Sequence, residues 1–202
     1  MSNTANKPLH YPKATELFHQ GQQHPWVYRI QSGFVITYAI DVNGKQGLTD
    51  LYGPGSWFGP GLSTNLAVQN AKTKPDCTLQ RFSSEHLWQQ LANNSDLSKQ
   101  LVQQLGSRDQ QLRQRLFLQQ TANLPARLAQ LLLYLLNFQS QPCSHGHDRD
   151  VNLSQQEIAE MIGSTRQSVS QLLADWRQEG IIDYSRDYLC LENADLLRQL
   201  CD

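Results

Sequence analysis

The residues of this 202-residue chain best suited to chemistry lie between Leu153 and Asp183. Arg166, Gln167, Ser170 and Gln171 recur at helical spacing, which predicts that all four share the outward, N-terminal face of one helix. An arginine fork can chelate the O6 and N7 of guanine, and a glutamine amide can do the same to the N6 and N7 of adenine. The partner these side chains suit is the edge of a base pair in a major groove. The hydroxyls of Ser154, Thr165 and Ser168 suit phosphate oxygens, and Gln155 and Gln156 beside Ser154 complete the candidate DNA-binding set.

Two short helices must hold those groups. Ser154 followed by Glu157 is a capping box, and Ile158, Met161 and Ile162 supply an apolar face behind it. Ala159 is small where a second helix has to cross closely. Gly163 is placed to end the first helix in a left-handed turn, and Thr165 to cap the next. Val169, Leu172, Leu173 and Trp176 are the expected buried side of that second helix, which Gly180 stops. Ile181 to Leu191 reads as a β-hairpin around Ser185-Arg186-Asp187, a wing that would bring Arg186 to the DNA backbone. The plainer alternative is a helical hairpin that only packs, its Gln and Ser residues solvated. Capping box, small residue, turn glycine, second cap and wing occurring together favour DNA.

Upstream, Val27–Ile30 and Phe34–Ile40 are rich in β-branched and aromatic residues. Turn signals at Gln31-Ser32-Gly33, Asp41-Val42-Asn43-Gly44 and Gly53-Pro54-Gly55 separate such runs. Residues 10–82 therefore predict a β-roll, that is, a jelly roll or small barrel, with Asn43-Gly44 as a two-residue hairpin turn. From Ser83 the period becomes helical. Ser84 opens a short helix, and Asp96 caps a long one that runs to about Asn123. Leu101, Leu105, Leu112 and Leu116 along it predict a stripe that packs against a second copy. Leu124-Pro125 marks a hinge, and Ala126–Phe138 a third helix. The organisation expected is an α+β chain with a sensor domain at 1–95, a dimerisation helix at 96–123 and a winged helix-turn-helix domain at 124–202.

Composition narrows the classes. Hydrophobic residues make up 39% and charged residues 17%, ordinary for a folded soluble protein. No apolar run is long enough to span a bilayer, and residues 1–12 lack the apolar core of a signal peptide, so a cytoplasmic protein without a membrane partner is expected. Cys77, Cys143, Cys190 and Cys201 form no CxxC pair, so neither an iron–sulfur cluster nor a zinc finger is expected. Residues 1–120 hold 11 Lys and Arg against 7 Asp and Glu, whereas residues 121–202 hold 6 against 11. An acidic C-terminal part runs against DNA binding unless Asp175, Glu179, Asp183 and Asp195 stand away from the reading face.

The pattern from Leu153 to Ile182, with the β-roll and long helix before it, resembles the Crp/Fnr family of bacterial regulators. The resemblance implies a cyclic-nucleotide-binding-like roll, a homodimer on a pseudo-palindromic operator, and RNA polymerase as a protein partner. By position it makes Arg166 the principal guanine reader and Gln156 and Thr165 phosphate contacts. Gln167 and Gln171 stand where the family often has Glu and Arg, so a different operator preference is implied. In the roll, Pro60 of Phe58-Gly59-Pro60-Gly61 replaces the Glu expected at the ribose. Ala67–Ala71 has no Arg for the phosphate, and Leu112-Arg113 replaces Thr-Ser. Cyclic AMP is therefore not expected to bind.

His10, His19, His24 and His86 read as surface residues rather than haem ligands. Cys77 is a possible redox sensor with no sign of a lowered pKa. Trp26, Trp57 and Trp88 read as core or pocket lining. Cys143, His145 and His147 read as a polar loop rather than a metal site. No catalytic constellation is visible, and a non-enzyme is expected. A cupin-like enzyme would need clustered His and carboxylate ligands that the β region does not supply. The remaining alternative is an interaction module of this fold that has lost DNA binding.

Overall fold

The computed structural model describes residues 7–136, 153–184 and 189–201. The chain divides into two compact units, Met1–Gln110 and Gln111–Asp202.

The first unit carries eight strands in two four-stranded antiparallel sheets. The strands are β1 (Leu9–Tyr11), β2 (Glu16–Phe18), β3 (Trp26–Ser32), β4 (Val35–Ile40), β5 (Gln46–Tyr52), β6 (Trp57–Phe58), β7 (Asn70–Thr73) and β8 (Cys77–Ser83). Their orders are β1-β8-β3-β6 and β2-β7-β4-β5, the two faces of the expected β-roll. Phe18, Tyr28, Ile30, Val35, Phe58, Ala71 and Leu79 fill the space between them.

The β4–β5 connection is not the two-residue turn expected. Only Gly44 has positive φ, at 79°, and Asn43 does not. The Asp41 carboxylate accepts from the amides of Asn43 and Lys45, each at 2.8 Å, and the Gly44 amide donates to the Asp41 carbonyl. This side-chain bracket selects a longer loop in which glycine alone takes the left-handed position.

Helix α1 (Ser84–Asn93) is capped by Ser83, which accepts from the His86 amide. Helix α2 (Ser95–Thr121) starts in the first unit and ends in the second. Its cap is Asn94, whose side chain accepts from the Leu97 amide at 3.0 Å, so Asp96 lies in the first turn instead.

The second unit continues with α3 (Leu124–Leu136), α4 (Gln155–Ile162), α5 (Arg166–Gln178), strands β9 (Ile182–Tyr184) and β10 (Leu189–Leu191), and α6 (Ala194–Gln199). Its core joins Leu128, Leu132, Ile158, Leu173, Trp176, Ile182, Leu191 and Leu197, all buried. Helix α6 lies beyond the elements expected from the sequence. Asn193 caps it by accepting from the amides of Asp195 and Leu196, and Leu197 anchors it in the core.

Candidate nucleic-acid interface

Local hydrogen bonds shape the turn between α4 and α5. The Glu157 amide donates to Ser154 Oγ at 3.3 Å, and the Ser154 amide donates to Glu157 Oε2 at 2.7 Å, which completes the capping box. Gly163 closes α4 at φ 64° and ψ 47°, a conformation that costs any L side chain. The Ser164 amide then returns to the Ala159 carbonyl at 2.9 Å. Thr165 caps α5 by accepting from the Ser168 amide at 3.1 Å, and its hydroxyl lies 2.9 Å from Ser168 Oγ. Capping uses acceptor lone pairs, so the Ser154 hydroxyl proton and whichever of the Thr165 and Ser168 protons does not join those two oxygens can still be donated.

Val169, Leu173 and Trp176 are buried beneath α5, whereas Arg166, Gln167, Ser168 and Gln171 are exposed and Ser170 is half-buried. Leu172 is half-buried rather than part of the core. Ser154 and Gln156 are exposed and Gln155 half-buried at the start of α4. The structure thus gathers nine of the expected contact residues around two helix N-termini. Arg186 lies outside the described residues, as do Cys143, His145 and His147. The flanking strands pair Ile182 with Leu191 and Tyr184 with Leu189, so the base of the hairpin is formed.

The acidic residues are only partly set aside. Asp183 pairs with Arg177 at 3.1 Å, and Asp195 pairs with Arg198. Asp175, however, stands one turn from Gln171 on the same face and accepts from its Nε2 at 3.0 Å. Gln156 Nε2 likewise donates to Glu160 at 2.9 Å. Both glutamines therefore have acidic neighbours that compete with a nucleic acid for their amides. The spacing of one helical turn carried this signal.

Along α2, Leu105, Leu112 and Leu116 are exposed, together with Val102 and Phe117, which the spacing reading omitted. Leu101 is a correction. It is buried among Val27, Trp57, Phe82 and Leu87, so it has no surface left for a second copy. Heptad spacing groups apolar residues without saying which neighbour covers each one.

The β-roll has its own cleft, of about 180 Å³, lined by Phe18, Tyr52, Trp57, Phe58, Leu62, Ser63, Val68, Gln69, Leu105 and Arg108 among others. Pro60 is buried in a short turn, Pro60–Leu62. Asn70 is buried and committed to structure: its Oδ1 accepts from the Gln20 amide at 3.1 Å, and its Nδ2 donates to the Tyr38 carbonyl at 3.3 Å. Arg108 pairs with the buried Asp50.

His24 is not a surface residue. It is buried against Phe18 and shares a 2.9 Å hydrogen bond with the Tyr28 hydroxyl through Nε2, so that nitrogen is not open to a haem iron. Burial, helped by the nearby Arg81 charge, lowers its pKa. Cys77 is fully buried, and burial pushes its thiol up to about 12, the opposite of a redox sensor's poise. Trp57 is core, Trp26 is half-buried, and Trp88 is 50% exposed rather than core. Among the described residues, no three His, Cys, Asp or Glu side chains gather as a metal site would require, and no helix is long and apolar enough to cross a membrane.

Comparison with known proteins agrees with both units. A cyclic nucleotide-binding domain family model matches residues 8–94, and a Crp-like helix-turn-helix domain model matches residues 126–200. The chain belongs to the Crp/Fnr family. Family members include the cAMP-activated global transcriptional regulator of Haemophilus influenzae, 26% identical over 175 residues that cover 85% of this chain and 78% of that protein. The CRP-like cAMP-activated regulator of Mycobacterium tuberculosis is 27% identical, with 87% and 80% covered. The structure of FixK2 from Bradyrhizobium japonicum shares the fold, with a TM-score of 0.82 at 18% identity and 98% of both chains covered. This is a family of DNA-binding transcription regulators.

The family's nucleotide site is poorly matched in this Crp/Fnr chain. Where a ribose partner is expected stands the apolar Pro60, and the Ala67–Ala71 segment presents no cation. The one charged side chain lining the cleft is Arg108, already held by a carboxylate. A cyclic phosphate would enter without a free charge partner, and the lining does not fit it.

Proposed function

We propose that this protein is a sequence-specific transcription regulator that works in the cytoplasm as a homodimer on a pseudo-palindromic operator. The observation that carries the reading is the exposed N-terminal face of α5, with Arg166, Gln167 and Gln171 outward over buried Val169 and Leu173. Arg166 reads guanine, and Gln167 and Gln171 read adjacent bases. Ser170 packs at the groove edge, while Ser154, Gln155, Gln156, Thr165 and Ser168 hold the phosphates on either side. Arg186 at the wing adds a backbone contact. Leu105, Leu112 and Leu116 join two copies, so that two recognition helices meet half-sites about one helical turn apart. RNA polymerase is the expected protein partner, and cyclic AMP is not the effector.

Enrichment of bound duplexes from a random pool tests this directly. The expected product is an inverted repeat with guanine in each half-site, bound with a shallow salt dependence because few cations reach the backbone. A second reading, an interaction module that has lost DNA binding, is favoured by the hold of Asp175 on Gln171. It predicts no enrichment at all. Calorimetric binding of cyclic AMP at micromolar concentration would contradict the effector assignment.

A further inference from the structure

Asp50 and Arg108 are joined by more than one contact. Asp50 is 4% exposed on β5, and Arg108 lies on α2, the two meeting through Oδ2 and Nη2. The other carboxylate oxygen of Asp50 accepts from the Leu51 amide at 2.9 Å. The same Nη2 of Arg108 donates to the Leu51 carbonyl at 2.8 Å, and its guanidinium carbon stands 3.6 Å from the centroid of the Tyr52 ring. Three consecutive residues of one strand thus grip one side chain of the long helix. That grip sits in the wall of the β-roll cleft, whose single charged lining residue is Arg108 itself.

The grip also fixes rotation. Turned inward, Leu101 fills the core beside Trp57 and Phe82. On the same unit, Val102 and Leu105 then face outward. Leu105 borders the cleft three residues before Arg108, so a twist of α2 about its axis moves cleft and stripe together.

We propose that the Asp50 carboxylate is a built-in ligand. It occupies the cation that a small anionic effector would use, and so holds α2 in the dimer-forming rotation with no anion bound. An entering anion would have to displace a buried, doubly hydrogen-bonded carboxylate, so the cleft is closed to anions as a chemical class. This inference rests on the α2 homodimer proposed above and not on its DNA binding.

The test uses the full chain and three variants, Asp50→Asn, Asp50→Ala and Arg108→Met, each checked for folding by thermal unfolding. Asp50→Asn keeps the shape and removes the charge, and it is expected to weaken both dimerisation and operator binding by about tenfold or more. Asp50→Ala opens a space the size of a carboxylate. Sodium formate, titrated against sodium chloride at equal ionic strength, is expected to restore its dimerisation and operator binding, and not those of Arg108→Met. A folded Asp50→Asn chain that dimerises and binds within about twofold of the parent overturns the proposal. So does a folded Asp50→Ala chain that formate leaves unchanged. Should Asp50→Ala fail to fold, Asp50→Asn decides alone. Should the parent chain bind no duplex, only the DNA-binding part of the function proposed above falls, and the dimer dissociation constant by sedimentation decides this inference; a parent chain that sediments as a monomer overturns both.

Discussion

The two units treat their polar groups in opposite ways. In the helix-turn-helix, polar bonds run to residues three or four positions away, from Ser154 to Glu157 and from Thr165 to Ser168. These bonds cap the helices and leave Arg166 and Gln167 exposed. In the β-roll, beside local bonds such as those of Asp41, buried polar groups also close on distant partners: Arg108 reaches the Leu51 carbonyl 57 residues away, and Asn70 ties Gln20 to Tyr38. One surface is finished by its own chain, and the other is left open for a partner. The difference separates a cleft whose charged side chain is paired within the chain from a helix face whose polar side chains stand exposed.

The comparison breaks most visibly at the stripe on α2. Replacing Leu112 and Leu116 together with Glu would put facing charges into the dimer seam proposed on α2, and is expected to give a monomer and abolish operator binding. Sedimentation equilibrium beside a gel shift checks both; a dimer that survives would remove α2 from the interface. A smaller effect is expected at the turn. Gly163→Val forces a β-branched residue to positive φ and should cost roughly 2 kcal/mol in urea unfolding of the second unit. An unchanged midpoint would mean the turn relaxes to another conformation.

The smallest effect belongs to the first unit. His24 has its pKa held below the ordinary 6.5 by burial, so folding favours the neutral ring. Stability is then full above pH 6.5 and is lost as pH falls toward and through the lowered value. Thermal melts between pH 7.5 and pH 5 should show this decline for the parent chain and a weaker one for His24→Phe. Equal slopes would show that His24 does not drive it.

What the sequence reveals follows the same division. The capping box, Gly163 and Thr165 are legible because each acts on residues one turn away. The eight-strand roll is legible in outline from its turn residues. Asp50 and Arg108 are not, since nothing local marks which strand meets which helix turn. His24 is not legible either: Phe18 and Tyr28 lie near it in sequence, but only the folded path of the chain brings the three rings together. Leu101 and Leu105 have identical side chains four residues apart, yet one is core and the other surface. Spacing alone cannot divide them. Helix α6 is not legible in the sequence, because a six-residue helix is held by one cap and one buried leucine, too little to register as a period.

The most direct measurement is the affinity of Arg166→Ala for the enriched operator, read beside its affinity for an unrelated duplex. Loss of a bidentate guanine contact in both half-sites should weaken specific binding by about 2–6 kcal/mol in total and leave non-specific binding within a few-fold. Operator affinity equal to that of the parent chain would contradict the placement of α5 in the major groove, and with it the reading of this unit as the DNA-binding end of the molecule.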